Sequence, residues 1–275
     1  MNRIADLSPL RPNRADRLRQ VGVTVAEIAC LFGTLVGTGV IGTRVAESSG
    51  GSLSADATRI APAGPAFSIW SVIYLGLFAY TVWQWLPGRA ADVRARRTGW
   101  LVAASMLLNA AWLLVTQVGW LWVSVLVILA LAVVLGAVHV RLVELPRGDA
   151  LTRVVVDGTL GLYLGWVAVA TCANITATLV ASGVRFSDGV ADLAAVVVLA
   201  VAAGLGVLFA RTFGGRLSIA AAMAWGLAWI AVGRLTDAPA STATAVAAII
   251  AALVVVGAAL RARRGTVDRT ATATA

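Results

Sequence analysis

The sequence predicts an all-α polytopic membrane protein with about eight transmembrane helices, and three observations carry that reading. Of its 275 residues, 60% are hydrophobic and 13% charged, and the mean hydropathy is +0.88. Apolar runs recur along the whole chain, each near the roughly 20 residues a helix needs to cross the hydrocarbon core of a bilayer. The connections between them are short and leave little chain for a soluble domain, so one polytopic unit is expected.

Taken in order, residues 1–20 form a basic, Pro-containing cytoplasmic tail, too long and too charged for the n-region of a cleaved signal peptide. The first helix is predicted over 21–43. The longest outward connection follows, from Arg44 to Gly64, and its Ser, Gly, Ala and Asp content predicts a mobile loop over the outer face. Pro62 and Pro65 bracket the entry to the second helix, 65–87. The third and fourth helices, 99–117 and 120–140, are separated by so few residues that they must pack as an antiparallel hairpin. A fifth is predicted over 153–180, and three more over 190–210, 217–234 and 241–260. The Thr- and Ala-rich segment 263–275 reads as a disordered cytoplasmic tail.

Charge orients this array. All 22 Lys+Arg residues are Arg, a usage that suggests a GC-rich bacterial genome, and the net charge is +9. With alternate connections assigned to alternate sides, only Arg44, Arg59, Arg185 and Arg234 fall on one side. The positive-inside rule then places both termini in the cytoplasm and the chain in the inner (cytoplasmic) membrane. Basic residues beside membrane helices account for the charge, so no nucleic acid is expected as a partner. Cys30 and Cys172 fall inside apolar runs without a CxxC motif and are expected to act as small buried hydrophobes. There is no Gly-rich phosphate loop, no Ser/His/Asp set and no paired metal ligands, so no catalytic residue and no metal site is assigned.

The 10 tryptophans divide into two groups. Trp83, Trp85, Trp100, Trp120 and Trp122 lie at predicted helix ends, where amphipathic rings favour the headgroup region. Trp70, Trp112, Trp166, Trp225 and Trp229 fall within helices, where an indole N–H needs a partner. For Trp225 and Trp229, core filling is expected, with a second aromatic site as the alternative. The others belong to stripes. On helix 2, Phe67, Trp70 and Tyr74 recur at steps of three and four and share a face. Helix 3 aligns Ser105, Asn109, Trp112 and Thr116 in the same way. Helix 5 aligns Tyr163, Trp166, Ala170 and Asn174. Lipid offers such polar atoms no partner, so the three stripes should face the bundle interior and wall a cavity open toward the first loop.

At these residues the sequence resembles the tryptophan-rich sensory protein family, also called the TspO/MBR or translocator protein family, over residues 21–183. The family's second helix carries Trp-x-x-x-Tyr after a Pro-rich entry, matched by Trp70 and Tyr74. Its third carries Asn-x-x-Trp, matched by Asn109 and Trp112. Its fifth carries Tyr-x-x-Trp-x-x-x-Ala-x-x-x-Asn, matched by Tyr163, Trp166, Ala170 and Asn174. The resemblance implies a five-helix bundle that binds a tetrapyrrole such as protoporphyrin or haem, or in some members a sterol, beneath the first loop. The ligand is not covalently attached. A sensory or regulatory role goes with it, and light-dependent porphyrin breakdown has been proposed for some members. Compact members carry tryptophan in the first loop, which this chain lacks, and their Phe-Phe pair after the helix 3 motif is Val115-Thr116-Gln117 here. The segment 184–262 then reads as three additional transmembrane helices in a longer branch of the family.

Four other features carry expectations. Glu27 is placed near the edge of helix 1, where its carboxylate snorkels to the interface; a proton-coupled secondary transporter of a small hydrophobic or amphipathic solute is the alternative function it supports. Asp157 is expected to pair with Arg153 one turn earlier. His139, the one histidine, is expected at the interface rather than as a haem or metal ligand. Gly33 and Gly37 form a GxxxG that packs either within the bundle or across a homodimer.

Overall fold

The computed structural model describes residues 11–272 apart from Ala46 and Arg147, with backbone alone from residue 266 onward. Arg147 and the first ten residues of the basic tail, Arg3 among them, therefore lie outside the described residues, as do the last three residues of the C-terminal tail. Among the described residues there is no strand, and eight helices are long and apolar enough to cross a membrane. They are α1 (Arg14–Gly37), α2 (Ile69–Trp83, entered through a 3-10 turn at Gly64–Ser68), α3 (Val93–Gln117) and α4 (Leu121–Val143). α5 (Ala150–Ala181), α6 (Asp188–Thr212), α7 (Leu217–Thr236) and α8 (Thr242–Thr272) complete the set.

Polar caps set several boundaries that hydropathy misses. α1 begins at Arg14 rather than near residue 21 because Asn13 and Asp16 form a reciprocal capping box, which satisfies two otherwise orphaned amides. Asp92 accepts from the Arg94 and Ala95 amides and starts α3 ahead of residue 99. Asp149 does the same for α5 through the Thr152 amide at 2.8 Å. The hydrogen bonds from Thr152, together with the Arg89 guanidinium, hold the Asp149 carboxyl well below the usual carboxylate range. α5 also contains one wide π turn, Arg153–Gly158. The last helix runs to Thr272, past residue 263 where the sequence predicts a tail.

α1 packs on α3, α3 on α4, and α4 on α5, with α2 set against α1 and α5. α5 then packs along α7, and both α6 and α7 pack on α8. Two glycines permit close approaches between helix backbones. A Cβ on Gly33 would lie 2.9 Å from the Ala110 Cα, and one on Gly165 would lie 2.3 Å from the Ile219 carbonyl oxygen. Gly37 likewise faces Leu113, so the GxxxG pair serves α1–α3 packing inside the chain.

The structure corrects four placements. Asp157 pairs with Arg94 at 2.8 Å and Arg216 at 2.6 Å, because it turns into the bundle while Arg153 stays exposed. His139 is fully buried, its Nδ1 against the Leu135 carbonyl at 2.9 Å and its ring against Phe213 at 5.4 Å, since the end of α6 covers it. Trp83 is buried rather than anchoring at the interface: its ring stacks on Tyr80, and the Arg89 guanidinium lies over it at 5.5 Å. Trp85, Trp100, Trp120 and Trp122 are exposed, as anchors require. Glu27 does not snorkel; the early start of α1 puts it deep in the helix, 3% exposed, with neither carboxyl oxygen hydrogen-bonded among the described residues.

Candidate ligand site

The three stripes converge. Trp70 stacks on Tyr74 with ring centroids 5.2 Å apart, meets Trp166 edge-on at 6.2 Å and Tyr163 edge-on at 6.0 Å. Phe67 meets the Trp166 ring edge-on at 5.8 Å. Offset and edge-to-face arrangements of this kind contribute about 0.5–1.5 kcal/mol per pair beyond area burial, so the wall is built to hold its shape.

Amides behind the rings fix their orientation. Asn109 donates through Nδ2 to the Tyr74 hydroxyl at 3.0 Å and contacts the Cys30 sulfur at 3.6 Å. The Trp112 indole N–H donates to Asn174 Oδ1 at 3.0 Å, and Asn174 Nδ2 donates to the Ser124 hydroxyl at 3.0 Å. The Tyr163 hydroxyl donates to the Ser105 carbonyl at 3.1 Å. Each of these bonds crosses between helices and gives a buried polar atom the partner that lipid would deny it.

In front of the rings lie two cavities. The larger, of about 450 Å³, is lined by Phe67, Trp70, Tyr74 and Trp112 together with Thr34 of α1 and its C-cap residue Thr38. The smaller, of about 50 Å³, lies on the α5 side against Trp166, Ala170 and Asn174 and shares Phe67 and Trp112 with the first. Of the predicted residues, Asn109 and Tyr163 line neither; both are fully buried and act from behind the wall. The Trp166 indole nitrogen is buried without a hydrogen-bond partner among the described residues.

Sequence reasoning missed two contributors. One is the end of α1, where Thr34 and the C-cap residue Thr38 line the larger cavity at a spacing of four residues that is visible in the sequence. The other is the first loop, which roofs both cavities through Val45 and through residues from Ser52 to Ala61. The loop is fastened at both ends. Gln117 and Thr43 exchange contacts, and the Ser49 hydroxyl donates to the Thr116 carbonyl at 2.7 Å. Farther along, Arg59 pairs with Asp188 at 2.8 Å and Asp192 at 2.6 Å, and those two carboxylates raise its pKa above the ordinary arginine value.

A model of the TSPO-like protein family matches residues 24–260. The chain belongs to that family. It is accordingly a multi-pass membrane protein, with the lipid bilayer as its surroundings. The match runs from α1 into α8, so the last three helices of this TSPO-like chain lie inside the family's extent, beyond residues 21–183 where the aromatic motifs sit. No curated protein and no solved structure is significantly similar to this TSPO-like chain.

Proposed function

We propose that the chain binds a flat hydrophobic small molecule, a tetrapyrrole of the porphyrin or haem type, in the cavity beneath the first loop, in a sensory, regulatory or transport-linked role. The observation that carries this reading is the larger cavity, about 450 Å³ and walled by Phe67, Trp70, Tyr74 and Trp112. That volume falls within the roughly 300–1,000 Å³ range of pockets that hold small molecules, and apolar walls with a few fixed polar groups are their usual lining. The planar faces of Trp70 and Trp112 offer stacking surface, while Thr34, Thr38 and the Tyr74 hydroxyl suit polar substituents at the ligand's edge. Trp166, Ala170 and Asn174 extend the wall on the α5 side, with Asn109 and Tyr163 supporting it from behind. No residue is assigned a catalytic step.

Titration of the purified protein in nanodiscs with protoporphyrin, haem and a sterol, followed by absorbance and tryptophan fluorescence, tests the proposal. Saturable quenching by a tetrapyrrole supports it, and the absence of saturable change with either tetrapyrrole overturns it. A second reading, a proton-coupled secondary transporter, is favoured by Glu27. A carboxyl 3% exposed with both oxygens unpartnered is costly to hold as an ion inside a membrane, which is why such groups mark proton pathways. Proton-dependent solute uptake into vesicles, lost in Glu27→Gln, would favour that reading.

A further inference from the structure

We propose that α6, α7 and α8 form a clamp that holds the cavity's roof closed, with Arg234 as the positioning residue that sets how long an occupant stays. The inference rests on the binding reading only for its second half; the fastening itself is a matter of geometry. Arg234 on α7 is 1% exposed and faces no carboxylate within ion-pairing distance among the described residues. Its guanidinium instead donates to backbone carbonyls: Nη1 to Thr58 at 2.9 Å and Pro239 at 3.0 Å, and Nη2 to Ala55 at 3.0 Å. Thr58 lines the smaller cavity and Ala55 the larger. One buried cation therefore fixes both parts of the roof, and its planar fork suits it to spread donors over several acceptors.

The rest of the C-terminal layer grips the same stretch. The Ala63 amide donates to the Trp229 carbonyl at 3.1 Å, and the Trp225 indole N–H donates to the Ala66 carbonyl at 2.9 Å. Gly233 lets α7 come close beside Ala63, where a Cβ would be 3.3 Å from the Ala63 nitrogen. Arg59 ties the rim to α6, and Asp192 also accepts from Ser241 at the start of α8 at 2.7 Å. α6 and α7 thus bear on the roof directly, and the start of α8 does so only through Asp192. Arg234 holds backbone carbonyls, so its share of the fastening does not depend on which side chains the loop carries, whereas the rim is held through the loop's own Arg59.

The experiment measures amide hydrogen exchange on the full chain in nanodiscs, without ligand, together with protoporphyrin dissociation by stopped-flow fluorescence. Arg234→Met keeps the apolar stem and removes the donors. Arg59→Gln, at the rim, covers the case in which Arg234→Met fails to fold. The expected result is exchange faster by about tenfold or more between Ser52 and Ala61 in Arg234→Met, with α3 and α5 unchanged. Protoporphyrin should then leave faster by a comparable factor while its association rate changes little; Arg59→Gln should show the same pattern more weakly. Unchanged exchange in the roof of both variants, or equal acceleration throughout all helices, overturns the clamp. Faster roof exchange in a protein that binds no protoporphyrin upholds the clamp and overturns the binding reading instead.

Discussion

At the scale of single residues, the wall depends on rings held at fixed angles by one another and by hydrogen bonds to the Tyr74 hydroxyl and from the Trp112 indole. Trp166→Leu removes an edge contact to both Phe67 and Trp70, and should weaken protoporphyrin binding several-fold to about tenfold. Trp85→Leu, in an exposed ring away from both cavities, should leave quenching by protoporphyrin intact; equal losses from the two would point to general destabilisation. Asn174→Ala orphans the Trp112 indole N–H and removes the Asn174 partner of the Ser124 hydroxyl, which keeps its bond to the Leu121 carbonyl. Orphaning buried donors costs about 1–3 kcal/mol, so thermal unfolding of this variant should begin at a lower temperature. The residues behind these predictions were legible as spacing, because a helix turns every third or fourth residue onto the same face. Which of them touch the cavity was not legible. Asn109 and Trp112 share a stripe on α3, yet one supports Tyr74 from behind and the other lines open space, a difference set by depth along the crossing of helices.

At the scale of elements, hydropathy located each helix and mislaid several ends, since capping carboxylates and amides extend helices into polar sequence that no hydropathy window includes. Asp16 and Asp149 are both such cases. The held form of Asp149 is the carboxylate, so its contribution to the start of α5 is present above the ordinary carboxylate range and lost as pH falls below it. Asp149→Ala should remove that part of the acid sensitivity, measured as the pH dependence of unfolding in detergent. Packing between elements was less legible still. α5 and α7 touch through Gly165, where the Ala222 Cβ would be 2.9 Å from an added Cβ; nothing in the local pattern singles out this glycine among 27. Gly165→Ala should part the two helices and destabilise the protein by about 1–3 kcal/mol, readable as a lowered unfolding midpoint.

At the scale of the whole molecule, composition was enough for the class and charge asymmetry for a proposed orientation. Reporter fusions at Gly148, Gly183 and Ala275 should report cytoplasm, periplasm and cytoplasm in turn, and any reversal would refute the two-sided assignment of arginines. The hold of α7 on the loop was illegible because it lies in contacts to backbone carbonyls of a segment more than 170 residues away in sequence, and backbone carbonyls leave no mark on residue identity. The wide turn at Arg153–Gly158 has a consequence for the lengths this chain can tolerate. A π turn is an α-helical turn holding one residue too many. Deleting Val155 should let that turn relax to α-helix while everything from Thr159 onward keeps its azimuth. Deleting Leu162 instead should swing the face that begins at Tyr163 by about 100° relative to the preceding turn. Single-residue deletions should therefore be survivable at the foot of α5 and ruinous about two turns above it, a contrast that folding yields of the two deletion variants would measure directly.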